Sequence, residues 1–208
     1  NELAILTNDK IEVFDHRGNP IPKQSETITF KSTPVSKNGF KHFMLKEIFE
    51  QPQTIQQALQ GRCREAFGTA EFEELNMSLQ ELRSINRICI LGCGTSWHAG
   101  NIAASMLENV SRISAQSEIA SEFRYKNPII SENTLVIAIS QSGETADTIA
   151  AVREAKAKGA KIIAICNAAN STLTREASSC LFLRAGPEIS VCSTKAFTSQ
   201  LTVIALFS

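Results

Sequence analysis

Two short stretches crowd hydroxyl groups into the place where a strand gives way to a helix. One is "LGCGTSWHAG", residues 91–100, after the apolar run RICIL. The other is "SQSGET", residues 140–145, after TLVIAI. Each sets Gly beside Ser or Thr immediately ahead of a helix-like pattern. Glycine lets the backbone approach a ligand closely, and the N–H groups of a first helical turn have no partner within the helix. A phosphate held there carries about −1.5 to −2 charges near neutrality. An exposed helix dipole contributes only about 0.3–1 kcal/mol toward holding it. Short donors must be added, and Ser or Thr hydroxyls supply them without a permanent charge. One hydroxyl suffices to cap a helix. Ser140, Ser142 and Thr145 in one turn, with Thr95 and Ser96 in the other loop, exceed that need. The pattern predicts phosphate binding.

Competing chemistries fit less well. A Walker A loop requires Gly-Lys-Ser/Thr, and neither stretch contains Lys. "SQSGE" lacks both flanking glycines of the G-x-S-x-G nucleophile elbow. In "GCGTSW" the third glycine of a dinucleotide fingerprint falls at Trp97, which disfavours a nucleotide cofactor. A third loop, "AGPEISVCSTKAF" at 185–197, holds Glu188, Ser193, Thr194 and Lys195. These side chains are expected to reach sugar hydroxyls, or else the loop is simply a helix entry with Ser193 or Thr194 as the cap. His16 and His42 suit solvated or packed positions, while His98, just past the first glycine loop, is a candidate for ligand proximity.

These loops need strands and helices to position them. RICIL, TLVIAI, KIIAIC and CLFL read as buried strands of continuous apolar type. Between them, Ile102, Ala103, Met106, Leu107 and Val110 fall on one helical face, as do Ala146, Ile149, Ala150 and Val152. "STLTREAS" suits a short helix. Apolar strands alternating with amphipathic helices predict an α/β fold, a doubly wound parallel sheet covered on both faces. In such sheets ligands bind outside the carboxyl ends of the strands, where both hydroxyl-rich loops belong. Upstream, "LAIL" and "IEVF" predict two short strands in a β-rich segment over 1–30, and "KSTPVSKNG" a linker. A helix is expected through "HFMLKEIFEQ", broken at Pro52, then "TIQQALQGR", and another from Phe72 to Leu82.

Lys+Arg and Asp+Glu are both 21, a balance that argues against a dedicated nucleic-acid binder. The six cysteines sit largely in apolar runs without paired zinc-ligand spacing, so free thiols of a reducing compartment are expected. No run of about 18 apolar residues suggests a membrane span, and a cytoplasmic setting is expected. The chain starts directly in "ELAIL" and stops inside "FTSQLTVIALFS", which suggests a piece of a longer protein.

"CGTSWHAG", "ASEFRY", "SQSGETADT" and "STKAFTSQL", with "KHFMLKEIFEQPQTI" ahead of them, resemble the glucosamine-6-phosphate synthase family. These are the isomerising glutamine–fructose-6-phosphate aminotransferases, and the resemblance covers essentially the whole chain. It implies the end of a glutaminase domain at residues 1–33 and a linker with helices at 34–84. Residues 85–208 would be the first sugar-isomerase (SIS) domain, a flavodoxin-like sandwich. It implies that Ser96, Ser140, Gln141, Ser142 and Thr145 hold the phosphate of a hexose 6-phosphate. Thr95 would contact the sugar, Val191 and Ser193 would lie beside its hydroxyls, and Cys93 would line the same pocket. It further implies ammonia transfer from glutamine to fructose 6-phosphate without metal or organic cofactor, and a homodimer built with a second SIS domain. Neither catalytic apparatus of that family falls in this span, so no catalytic residue is expected here. The alternative is a phosphosugar-sensing SIS module of a regulator, which should carry a basic helix-turn-helix ahead of the fold.

Overall fold

Glu2–Leu6 (β1) and Ile11–Asp15 (β2) form an antiparallel hairpin in the computed structural model, which describes residues 2–24 and 35–208, with the backbone alone for Glu65. The turn closes where expected: the Thr7 N–H donates to the Lys10 carbonyl at 3.0 Å. The Asp15 carboxylate then organises the following break by accepting from the Arg17 and Asn19 N–H groups. Two strands alone are marginal in water, and Leu3, Leu6 and Ile11 remain exposed. This hairpin belongs to one compact unit, Asn1–Ser36, and the rest of the chain to a second, Lys37–Ser208. The end of the β-rich segment and the first four residues of the linker, at 25–34, lie outside the described residues.

The second unit begins with Phe43–Leu59 (α1), one helix that runs straight through Pro52. The expected break does not occur, and the local chemistry explains why. Proline removes the N–H that would reach the carbonyl four residues earlier. That carbonyl belongs to Ile48, and the Gln51 side-chain amide donates to it instead at 3.0 Å. Cys63–Arg64 (β3) and Thr69–Ala70 (β4) form a small antiparallel pair. The helix expected over Phe72–Leu82 is also corrected. Only Leu79–Ser84 (α2) is helical, started by a capping box between Ser78 and Glu81. Phe72, Leu75 and Met77 instead pack individually against the core from non-helical chain.

The remaining elements alternate: Arg87–Gly92 (β5), Thr95–Ser111 (α3), Ser114–Ile119 (β6), Ala120–Phe123 (α4), Thr134–Ser140 (β7), Ala146–Ala157 (α5), Lys161–Cys166 (β8), Thr172–Glu176 (α6), Ser179–Phe182 (β9) and Lys195–Phe207 (α7). The five strands β5–β9 pair in parallel in the order β6-β5-β7-β8-β9. Four were expected. The fifth, β6, reads "SAQSEI" and buries only Ala115, because an edge strand needs no continuous apolar run. Alternate strand residues point to opposite faces. Ile88, Ile90, Ile137, Ile139, Ile163 and Ile165 meet α3, α7 and Ala58 of α1. Leu91, Val136, Ala138, Ile162 and Ala164 meet α5, Phe123 of α4 and Leu173 of α6. The sheet is doubly wound, as the alternation requires. Among the described residues no helix is long and apolar enough to cross a membrane.

Candidate functional site

The first strand of the sheet in chain order, β5, lies between the second and third, so the winding reverses between β5 and β7. Open α/β sheets place their ligands at the carboxyl edge of that reversal. A cavity of about 460 Å³ occupies this position, bordered by all of the expected contact residues: Cys93, Thr95, Ser96, Ser140, Gln141, Ser142, Thr145, Val191 and Ser193. Gly94, Ile139, Glu188, Ser190 and Cys192 complete its rim. Among the described residues that border it there is no Lys, Arg or His.

Two helices begin at this cavity without a capping side chain. Gly94 is the N-cap of α3, with φ 58°, a left-handed value suited to glycine. Thr145 is the N-cap of α5, yet its hydroxyl makes no cap bond. The unpaired N–H groups of both first turns therefore remain available to an anion.

The hydroxyls are oriented by bonds that they accept. The Gly143 N–H donates to Ser140 Oγ at 2.9 Å, and the Glu144 N–H to Ser142 Oγ at 3.1 Å. Gln200 Nε2 donates to Ser96 Oγ at 3.0 Å. A hydroxyl that accepts from the protein keeps its own proton to donate. Three neutral donors are thus set before any ligand arrives. Gly143 (φ 67°) makes the turn possible, since a Cβ there would lie 2.0 Å from Ser171 Oγ. The carboxylate in the turn is turned away: Glu144 Oε1 accepts from the Thr172 N–H at 2.7 Å and caps α6. That N–H holds the Glu144 carboxyl below the usual range.

The third loop does enter a helix, but neither Ser193 nor Thr194 caps it as expected: Thr194 is the N-cap of α7 and makes no side-chain cap bond. Glu188 borders the cavity but accepts from the Thr194 and Ala196 N–H groups, and so caps α7. Lys195 is buried and turned toward Glu50 of α1 at 2.9 Å, not toward the cavity. Ser190, Val191, Cys192 and Ser193 form the outer wall. His98 is exposed, lies against Trp97 and does not border the cavity. Gln200 was missed from the sequence. Its signal was there, as a buried amide inside the apolar helix "FTSQLTVIALF".

A parallel sheet with this reversal and a hydroxyl-lined cavity at its carboxyl edge defines a class. The chain belongs to the family of SIS domains, which matches residues 81–208. Among individual proteins it is similar to glutamine–fructose-6-phosphate aminotransferase [isomerizing] of Methanosarcina acetivorans, at 47% identity over 207 residues, covering 100% of this chain and 34% of that protein. The namesake enzyme of Clostridium tetani is 45% identical over 204 residues, covering 98% and 33%. The solved C-terminal domain of glucosamine-fructose-6-phosphate aminotransferase from Francisella tularensis superposes with a TM-score of 0.78 at 39% identity, covering 83% of this chain and 48% of that one. The chain spans about a third of the length of the curated relatives it matches.

Proposed function

We propose that this chain is the sugar-phosphate-binding portion of an isomerising glutamine–fructose-6-phosphate aminotransferase. Residues 1–33 would close the glutaminase domain, 34–84 would link it onward, and 85–208 would form the first of two SIS domains. The whole enzyme would act in the cytoplasm as a homodimer, moving ammonia from glutamine to fructose 6-phosphate and isomerising the product to glucosamine 6-phosphate. This portion contributes binding. The observation that carries the reading is the cavity between β5 and β7, where two uncapped helix N-termini meet hydroxyls already fixed as donors. Such a site suits a phosphate dianion, with Ser96, Ser140, Gln141, Ser142 and Thr145 around it. Thr95, Cys93, Val191 and Ser193 remain for the sugar. The strong similarity over the whole chain to curated aminotransferases supports hexose 6-phosphate as the ligand class.

Calorimetry on the chain tests this reading with fructose 6-phosphate, fructose and inorganic phosphate. Fructose 6-phosphate and phosphate should bind, and fructose should not. Thr145→Val removes one donor and should weaken phosphate binding about tenfold, in line with roughly 1.5 kcal/mol for a bond to a charged group. Equal binding of fructose and fructose 6-phosphate would refute the assignment.

A further inference from the structure

The outer wall of the cavity has no regular secondary structure: residues 183–194 belong to neither β9 nor α7. Its start is held by the buried Leu183 and Ala185, and its end by the bonds from the Thr194 and Ala196 N–H groups to Glu188, but Val191 and Cys192 between them are exposed. The middle of the stretch is held by a carboxylate from a distant helix. Glu47 of α1 is 2% exposed. Its Oε1 accepts from the Ile189 N–H at 2.6 Å and from the Ser190 N–H at 3.3 Å, and its Oε2 accepts from the Ser190 hydroxyl. A buried carboxylate is costly unless it is fully hydrogen-bonded, and bonds to an ionised acceptor are roughly twice as strong as neutral ones. All three donors come from two adjacent residues of the wall. One turn further along α1, Glu50 bonds Lys195 at 2.9 Å and fixes the start of α7, where the same wall ends.

We propose that Glu47 is a positioning residue for the sugar end of the ligand. Carried on α1, it sets the conformation of Ile189–Ser193 and leaves the phosphate turn at 140–145 untouched. The ligand half of this inference rests on the sugar-phosphate reading above. The separation follows from the bonding. Ser140, Ser142 and Ser96 take their orientation from Gly143, Glu144 and Gln200, none of which bonds Glu47. Removing Glu47 should therefore divide a hexose 6-phosphate into its two ends.

Hydrogen exchange and calorimetry on the 208-residue chain test it with Glu47→Ala, Glu47→Gln and Glu47→Asp. In Glu47→Ala, exchange at the Ile189 and Ser190 amides should rise by about tenfold or more, as expected when a protecting bond is lost. Affinity for fructose 6-phosphate should fall about tenfold, while affinity for inorganic phosphate stays within about twofold. Glu47→Asp keeps the charge and should recover part of the loss. Glu47→Gln keeps the shape and secures the test if the alanine variant does not fold. Unchanged exchange at Ile189 and Ser190 would overturn the clamp. Parallel losses for phosphate and fructose 6-phosphate would overturn the division of labour and make Glu47 a general structural residue. A wild-type chain that binds neither ligand would refute the sugar-phosphate reading and this proposal's ligand half. The exchange rates would then decide the clamp alone.

Discussion

The turn after β7 and the loop after β9 border the same cavity but take their shape from different sources. Ser140, Ser142 and Gly143 are fixed by bonds spanning two or three residues, at the end of a fully buried central strand. Ile189 and Ser190 are fixed by a carboxylate 142 and 143 residues away in sequence. The first wall is local and comes ready-made with the sheet. The second has a local cap at Glu188, but its middle, at Ile189 and Ser190, is held only once α1 has docked. On the proposed function, keeping these two sources separate lets one wall grip a phosphate while the other is shaped to a sugar.

The largest expected effect breaks the local wall. Gly143→Ala puts a Cβ 2.0 Å from Ser171 Oγ and 2.9 Å from Cys166 Sγ, at a φ of 67°. Left-handed strain of about 1–2 kcal/mol and overpacking of about 1–3 kcal/mol should together cost about 2–5 kcal/mol. Denaturant titration checks the stability, and calorimetry should find phosphate binding lost. Retention of wild-type phosphate affinity would show that the turn does not need this backbone.

A smaller effect sharpens the contrast through pH. Burial pushes the Glu50 carboxyl upward, but the hydrogen bond and charge of Lys195, with the charge of Lys46, outweigh that and hold it below its ordinary value of 4.5. A carboxyl lowered in the folded state contributes stability that is fully present above its unfolded pKa. That contribution is lost as pH falls through the folded pKa. Glu50→Gln should therefore cost about 1.5–3 kcal/mol at neutral pH, the range for a bond to a charged group. The gap between wild type and variant should hold constant down to about pH 5 and close progressively below 4.5. Denaturation midpoints across pH check this, and a gap independent of pH would remove the ion pair from the docking of α1.

The same contrast explains what could be read before folding. The turn at 140–145 was legible as part of the cavity because its signal is local: more hydroxyls than a cap can use, beside a glycine, between a strand and a helix. The sheet was legible where strands are buried on both faces, and β6 escaped because an edge strand can be polar. Pro52 misled because the compensating donor, Gln51, acts through its side chain, which a backbone rule does not weigh. Gln200 carried a readable sign, a polar residue in an apolar helix. Glu47 carried none. A carboxylate on an amphipathic helix looks solvated until the chain that supplies its donors arrives from the other end of the fold.

The smallest expected effect reads the two walls by their thiols. Cys93 borders the cavity from the loop after β5 and is half-buried, while Cys192 borders it on the held loop and is exposed. Burial pushes the Cys89 thiol, beneath the first loop, up to about 12. At pH 8 its thiolate fraction is then on the order of 10⁻⁴, and the thiolate is the reactive form. A maleimide should modify Cys192 and the exposed Cys63 quickly and leave Cys89 intact until the protein unfolds. Fructose 6-phosphate should slow modification of Cys192 severalfold by mass action, with Cys63 as the internal control. Inorganic phosphate, whose proposed contacts include no residue of the loop after β9, should leave Cys192 unprotected. Protection by phosphate as strong as by the sugar phosphate would mean that the loop answers to the phosphate, and the two walls would no longer be separable.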